Sequence, residues 1–173
     1  MNRYLHFLLI IFFLVSFASC AKSQSNTNMD SSDRLKKEEA ERQAAFNKLK
    51  AKADSAMTYC KKNGFDTNYC FLLDFKIHSG KKRFFVWDFE KDTIKYASLC
   101  GHGYGNSANR STYTNIKFSN VPGSLCSSLG RYKVGIRSYS QWGINVHYKL
   151  HGLEKTNNNA YARIVVIHSH DPV

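Results

Sequence analysis

Residues 33–63 carry apolar side chains with the period of an α-helix. Ser32 or Asp33 can cap the first turn, and Gly64 ends the pattern. Acidic and basic residues fill the remaining circumference, which is typical of a solvated helix face. The apolar positions recur at three- and four-residue steps, namely Leu35, Phe46, Leu49, Ala53, Met57 and Cys60. The pattern predicts one long amphipathic helix over residues 33–63.

After Gly64 the pattern changes to the alternation and short apolar runs of β-strands. The first three runs are separated by short turns, so they predict an antiparallel meander. The predicted strands cover residues 71–77, 83–89, 94–100, 130–136, 146–150 and 164–167. The fold class predicted is therefore mainly β, preceded by one long N-terminal helix.

The last of these strands differs from the others, because residues 164–167 are apolar at consecutive positions. Such a run predicts an interior strand that is covered on both faces. His168 follows directly at its carboxyl end. A polar side chain mounted on a rigid strand end is a candidate for chemistry, although an ordinary strand-end histidine explains the pattern equally well.

The N-terminus predicts export. Arg3 precedes an apolar run over residues 7–15, which gives way to small residues up to Cys20. This run is short for a permanent span, which needs about 20 apolar residues, so a retained membrane anchor is the weaker alternative. We interpret residues 1–20 as a lipoprotein-type signal peptide and residues 21–32 as a flexible tether, with residues 64–173 forming the main domain. The protein is expected in the cell envelope on the periplasmic side.

Residues 17–20 resemble a bacterial lipobox, with Phe17 where leucine is usual. That resemblance implies lipidation of Cys20 and attachment to a membrane through the lipid. Ordinary cleavage after Ala21, which gives a secreted protein, is the alternative.

Composition limits the function classes. A chain of 173 residues holds one domain of usual size, and 43% hydrophobic with 14% aromatic residues predicts a buried core. The formal net charge of +12 is spread along the chain, with +1 in residues 1–30, +4 in 31–63 and +7 in 64–173. This spread and the export signal argue against nucleic-acid binding, and they favour a general attraction to anionic polymers.

Nine short motifs follow one another in the order of a known family, and they span most of residues 59–173. They are Leu73-Asp74-Phe75, Arg83-Phe84-Phe85-Val86-Trp87-Asp88, Gly101-His102-Gly103, Phe118-Ser119-Asn120, Gly123-Ser124, Ser127-Ser128-Leu129-Gly130-x-Tyr132, His151-Gly152-Leu153-Glu154, Asn159-Ala160 and Arg163-x-Val165-Val166-Ile167-His168. The chain resembles the murein L,D-transpeptidase catalytic domain family, the YkuD-like group. The resemblance implies a sandwich-like β domain and a cysteine transpeptidase that joins peptidoglycan stem peptides.

The resemblance also implies roles for individual residues. His168 corresponds to the histidine that activates the family's cysteine, and the backbone carbonyl of Ser169 to the group that holds its imidazole. Arg163, His102 and His170 are expected on the substrate side, with a structural salt bridge or anion clamp as the alternative for Arg163. A neighbouring imidazolium is needed because the thiolate, not the thiol, is the nucleophile.

The chain departs from the family at the nucleophile. The family's cysteine lies in a Ser/Thr-x-Gly-Cys motif downstream of this histidine, whereas the printed sequence ends at Asp171-Pro172-Val173 without it. Two interpretations follow: the chain is incomplete at its C-terminus, or it has lost catalysis and binds peptidoglycan or other anionic wall polymers. An incomplete chain would leave an exposed sheet edge beside residues 164–167.

The other cysteines and histidines allow further readings. Four cysteines allow three disulfide pairings, and the sequence does not select one. Metal binding could draw on Cys100 with His102, His147 with His151, or His168 with His170, but no ligand pairs occur at zinc-finger spacing. We therefore predict no metal site and no cofactor. A glycosidase is disfavoured because no suggestive pair of carboxylates occurs after residue 64.

Overall fold

The computed structural model describes residues 31–170. The predicted signal peptide of residues 1–20, the lipidation site Cys20 and residues 21–30 of the predicted tether lie outside the described residues. Within residues 31–170, no helix is both long enough and apolar enough to cross a bilayer.

The predicted helix is present as α1, Ser31–Asn63, so the last two residues assigned to the tether belong to its first turn. Its end is well defined, because Gly64 has φ +67° and the Phe65 N–H donates to the Cys60 carbonyl at 3.0 Å. The chain divides into two compact units, residues 1–41 and 42–173. The described part of the first unit is exposed helix, with an ion pair of 3.6 Å between Asp33 and Lys36.

The predicted meander is confirmed as the first sheet. It consists of β1 (Tyr69–Leu73), β2 (Phe84–Asp88) and β3 (Thr93–Ser98), which pair antiparallel in the order β1-β2-β3. The hydrogen bonding extends one residue before β2, to Arg83. The Asp74 N–H donates to the Arg83 carbonyl and the Arg83 N–H to the Ser98 carbonyl, both at 3.0 Å.

The C-terminal part of α1 packs on one face of this sheet. Leu49 and Ala53 bury themselves against Phe85 and Trp87 of β2, and the Phe46 ring lies 5.5 Å from that of Trp87. Two cross-strand rows extend this face, Cys70–Trp87–Ile94 and Leu72–Phe85–Ala97. This cluster is a hydrophobic core of the second unit.

A register shift in the β2–β3 pairing lets β3 contribute to that core. Val86 is paired with Tyr96 and Trp87 with Ile94, so β3 has one extra residue between the two pairs. Side chains of a regular strand alternate between faces, and three-residue spacing would place Ile94 and Ala97 on opposite sides. The irregularity brings both to the α1 side, where they pack against the core.

A second antiparallel sheet contains β4 (Tyr132–Tyr139), β5 (Val146–Gly152) and β6 (Val166–His168), in the order β4-β5-β6. Together with α1 and the first sheet, it confirms the expected fold class of strands preceded by one long helix.

The prediction of an interior strand over residues 164–167 was wrong. β6 begins only at Val166 and lies at the edge of its sheet. Ile164 belongs to the preceding turn, with φ +57° and 64% exposure, and its N–H donates to the Tyr161 carbonyl at 3.1 Å. Consecutive apolar residues here reflect a turn that runs into a half-buried edge strand, which periodicity does not distinguish from a buried one.

Candidate functional site

His168 is the last residue of β6, and its side chain is exposed. Its Nδ1 lies 2.7 Å from the backbone carbonyl oxygen of Ser169. A carbonyl oxygen only accepts, so this bond requires the proton on Nδ1 and leaves Nε2 as the ring's proton acceptor. The pairing is the one that the resemblance implies for these two residues, whose catalytic roles stay a prediction.

An indole ring lies beside this imidazole. Trp142, in the loop between β4 and β5, has its ring centroid 5.4 Å from that of His168, with the planes tilted by 36°. This spacing is within the range of favourable ring contacts. The sequence reasoning missed Trp142, because its neighbourhood to His168 arises only from β4–β5–β6 pairing.

A second histidine lies next to His168 on the neighbouring strand. His147 of β5 is the Cα partner of His168, and direct partners of antiparallel strands project from the same face. In the described part of the chain, His147 Nε2 is buried without a hydrogen-bond partner. His151, four residues on, stacks instead on Tyr161 at 4.5 Å, whereas His170 is exposed two residues beyond His168.

Arg163 was predicted on the substrate side. Its guanidinium donates hydrogen bonds to other residues of the same chain. Nη1 donates to the Ser119 carbonyl at 2.8 Å and to Ser128 Oγ at 2.7 Å. Nη2 donates to Ser124 Oγ at 3.0 Å and to the Cys126 carbonyl at 2.7 Å. These four bonds support a role in holding residues 119–128, and substrate contact by Arg163 stays a prediction.

The segment held by Arg163 is also hydrogen-bonded to the loop that contains His102. The Gly103 N–H donates to Ser127 Oγ at 2.9 Å, and the Gly105 N–H to the Leu125 carbonyl at 3.1 Å. A Cβ at Gly103 would lie 2.3 Å from the Leu125 oxygen, so the close approach requires glycine. Residues 101–106 and Arg163, which precedes β6, are therefore both hydrogen-bonded to the loop of residues 119–128.

His102 is held by a buried arginine. Arg83 has no solvent exposure, and its Nη2 lies 3.1 Å from His102 Nδ1. Because a guanidinium only donates, His102 Nδ1 accepts and the ring proton is on Nε2. Burial, and then the charge of Arg83, lower the pKa of His102. The structure thus presents a neutral imidazole with an Nε2–H donor, which suits a hydrogen bond to a substrate carbonyl.

The Arg83 guanidinium also donates to two backbone carbonyls. Nε donates to the Cys100 carbonyl at 2.8 Å and Nη1 to the Ile77 carbonyl at 3.2 Å. Its guanidinium also lies 5.1 Å from the centre of the Phe75 ring.

Three of the four described cysteines lack the lowered pKa of an activated nucleophile. The four described thiols, Cys60, Cys70, Cys100 and Cys126, are all free. Burial raises the pKa of Cys60 and Cys100, and burial together with the charge of Cys60 raises the pKa of Cys70 to about 11. A nucleophilic cysteine needs the opposite shift.

The metal alternative receives no support from residues 31–170, which contain no group of three or more histidine, cysteine, aspartate or glutamate side chains able to hold an ion. Of the three candidate pairs, His102 is committed to Arg83 and His151 to Tyr161.

Residues 40–173 match the family model of the L,D-transpeptidase catalytic domain. The chain belongs to this family. L,D-transpeptidases are acyltransferases that act on the peptidoglycan stem peptides of the cell wall. No curated protein and no solved structure matches the chain.

Proposed function

We propose that this L,D-transpeptidase domain performs Cys/His acyl transfer on stem peptides, with His168 as the general base. His168 Nε2 takes the proton of a cysteine thiol, and the thiolate attacks the stem carbonyl. The C–N bond to the terminal D-amino acid breaks, and the leaving amine receives the proton from the imidazolium. An amine of a second stem then attacks the thioester, which forms the new amide and returns the thiol.

One observation carries the assignment of the base. The Nδ1–H bond to the Ser169 carbonyl, at 2.7 Å, fixes the tautomer that leaves Nε2 free to accept a proton. His102 supplies a complementary group, because its Nε2–H can donate to the oxygen of a substrate carbonyl. His170, two residues beyond the end of β6, is proposed as a further substrate contact.

We propose that the nucleophile comes from a Ser/Thr-x-Gly-Cys segment encoded beyond the 173 printed residues. The motif does not occur in the printed sequence, and the raised pKa values of Cys60, Cys70 and Cys100 argue against these thiols. Sequencing the genomic DNA after the Val173 codon tests this directly. A reading frame that continues into the motif supports the proposal, and an immediate stop codon contradicts it.

The activity is tested by mass spectrometry of the full gene product after incubation with tetrapeptide-bearing muropeptides. The expected product is an acyl-enzyme whose mass equals the protein plus the stem lacking its terminal D-amino acid. His168→Ala should abolish the adduct, whereas His151→Ala, on the same sheet but stacked on Tyr161, should keep it. An adduct of equal yield with His168→Ala would overturn the assignment of the base.

For location, we propose attachment to the periplasmic side of a membrane through lipid on Cys20. The lipobox-like residues 17–20 support this, and cleavage after Ala21 is the competing outcome. Radiolabelled fatty acid should be incorporated by the wild-type protein and not by Cys20→Ser. A mature protein that starts at Lys22 and carries no lipid would contradict the anchor.

A second candidate function is a catalytically inactive wall-binding lipoprotein. The net charge of +12 and the aromatic residues exposed on the outer face of the first sheet, including Tyr69, Phe71 and Tyr96, favour it. This function predicts co-sedimentation with purified peptidoglycan sacculi that salt weakens, without any acyl-enzyme. Formation of the acyl-enzyme would exclude it.

A further inference from the structure

The loop between β4 and β5 is a closed, hydrogen-bonded turn. The Ser140 N–H donates to the Asn145 carbonyl at 3.1 Å, and the Asn145 N–H donates to the Trp142 carbonyl at 3.1 Å. The Trp142 N–H donates to Ser140 Oγ at 3.2 Å, and Ser140 is buried. These bonds hold the backbone of Trp142 in place independently of its side chain.

The same loop is fastened to Ser169. The Ile144 N–H donates to Ser169 Oγ at 2.8 Å. Gly143 has φ +58°, and a Cβ there would lie 2.1 Å from Ser169 Oγ and 2.4 Å from the Ser169 carbonyl oxygen. Only glycine combines this backbone conformation with this contact.

Ser169 therefore joins the loop to the imidazole. Its Oγ accepts from Ile144, and its carbonyl oxygen accepts from His168 Nδ1. The Trp142 indole closes the arrangement by lying beside the imidazole ring. The ring of His168 is exposed at a sheet edge, so without these contacts it has free rotation about its side-chain bonds.

We propose that Trp142, Gly143 and Ile144 are positioning residues for His168, an inference that rests on the proposed function. The loop fixes the position of the Ser169 carbonyl, and this carbonyl selects the tautomer of His168. The indole of Trp142 fixes the orientation of the imidazole plane. Reaction rates depend steeply on such placement, since an error of about 1 Å can cost about 100-fold. The loop thus acts through His168 and does not itself touch the reacting atoms.

The test is NMR of the 173-residue chain with ¹⁵N-labelled histidine, which needs neither substrate nor nucleophile. At a pH where His168 is neutral, the wild type should show Nδ1 protonated and nuclear Overhauser contacts between imidazole and indole. Gly143→Ala displaces the Ser169 carbonyl, and Trp142→Ala leaves the imidazole free to turn away from that carbonyl, so each variant should produce a mixture of tautomers. Trp142→Phe, which keeps an aromatic ring, should retain the Nδ1–H form.

Tyr139→Ala is the matched control, because Tyr139 is an exposed aromatic residue at the end of β4 and should leave the His168 signals unchanged. Far-UV circular dichroism establishes that each variant is folded. A single Nδ1–H tautomer in folded Trp142→Ala and Gly143→Ala overturns the proposal. If neither variant folds, the wild type and Trp142→Phe decide: an Nε2–H tautomer or absent indole contacts in either protein overturns it.

Activity separates this inference from the function on which it rests. In a gene product that forms the acyl-enzyme, Trp142→Ala should lower the rate constant of acylation about 100-fold with little change in KM, and Trp142→Phe should restore most of it. An intact tautomer without any acyl-enzyme refutes only the function. Full acylation by Trp142→Ala refutes only the positioning role.

Discussion

Replacing Arg163 by methionine should destabilise the protein severely, because the guanidinium has four hydrogen bonds inside the chain. The variant leaves the hydroxyls of Ser124 and Ser128, which are 2% and 5% exposed, without this donor. Each unsatisfied buried group costs about 1–3 kcal/mol. Arg163 is only partly buried and water replaces some of the loss, so we expect about 2–3 kcal/mol.

The assay is urea unfolding followed by tryptophan fluorescence and circular dichroism. Arg131→Met is the matched control, since Arg131 pairs with Glu154 at 2.5 Å with its side chain 56% exposed. We expect this control to cost about 1 kcal/mol or less. An Arg163→Met variant as stable as Arg131→Met would refute the structural role and would favour the alternative that the guanidinium serves the substrate.

Three further changes test other parts of the structure. Burial acts to raise the pKa of Asp74, but hydrogen bonds from Lys48 and a backbone N–H outweigh it and lower the pKa. Lys48→Met should therefore be less stable than wild type at pH 7 by up to about 1 kcal/mol, and the two urea midpoints should converge as the pH falls through the lowered pKa; a constant gap contradicts this. Burial and a neighbouring cysteine raise the pKa of Cys70 to about 11, so its alkylation by iodoacetamide should accelerate up to that pH, and a plateau near that of a free thiol, about 8.5, would refute the shift. Gly103→Ala should lower the melting temperature because its Cβ meets a backbone oxygen, whereas Gly101→Ala, with open space around it, should not; equal melting temperatures would contradict the crowding.

The sequence predicted the elements with a strong period. Within the predicted apolar stripe, Phe46, Leu49 and Ala53 pack on the first sheet, as helical spacing requires. Leu35, at the N-terminal end of the stripe, is 65% exposed. The three strands of the meander overlap the runs that alternation predicted. The first strand was predicted over residues 71–77, whereas β1 covers Tyr69–Leu73 and is followed by a turn at residues 75–76. Their pairing irregularity was not predictable, because the extra residue in β3 is defined by its partner strand.

Long-range contacts explain what the sequence did not reveal. Residues 164–167 have the composition of a buried strand, yet Ile164 lies in a turn and β6 occupies a sheet edge. The hydrogen-bond partners of Arg163 are 35 to 44 residues away in the chain, so no local sequence pattern predicts them. Trp142 meets His168 through strand pairing for the same reason. The sequence did suggest His168, because the motif that contains it is contiguous, and the catalytic role of His168 stays a prediction.

The central claim is that the His168 imidazole, with its proton held on Nδ1, accepts the proton of a cysteine thiol through Nε2. The most direct measurement is the rate of acyl-enzyme formation by the full gene product on a tetrapeptide stem, followed by mass spectrometry across pH for wild type and His168→Gln. The account predicts rapid formation of the thioester adduct by wild type and none by the variant. A variant that acylates at the wild-type rate would contradict it.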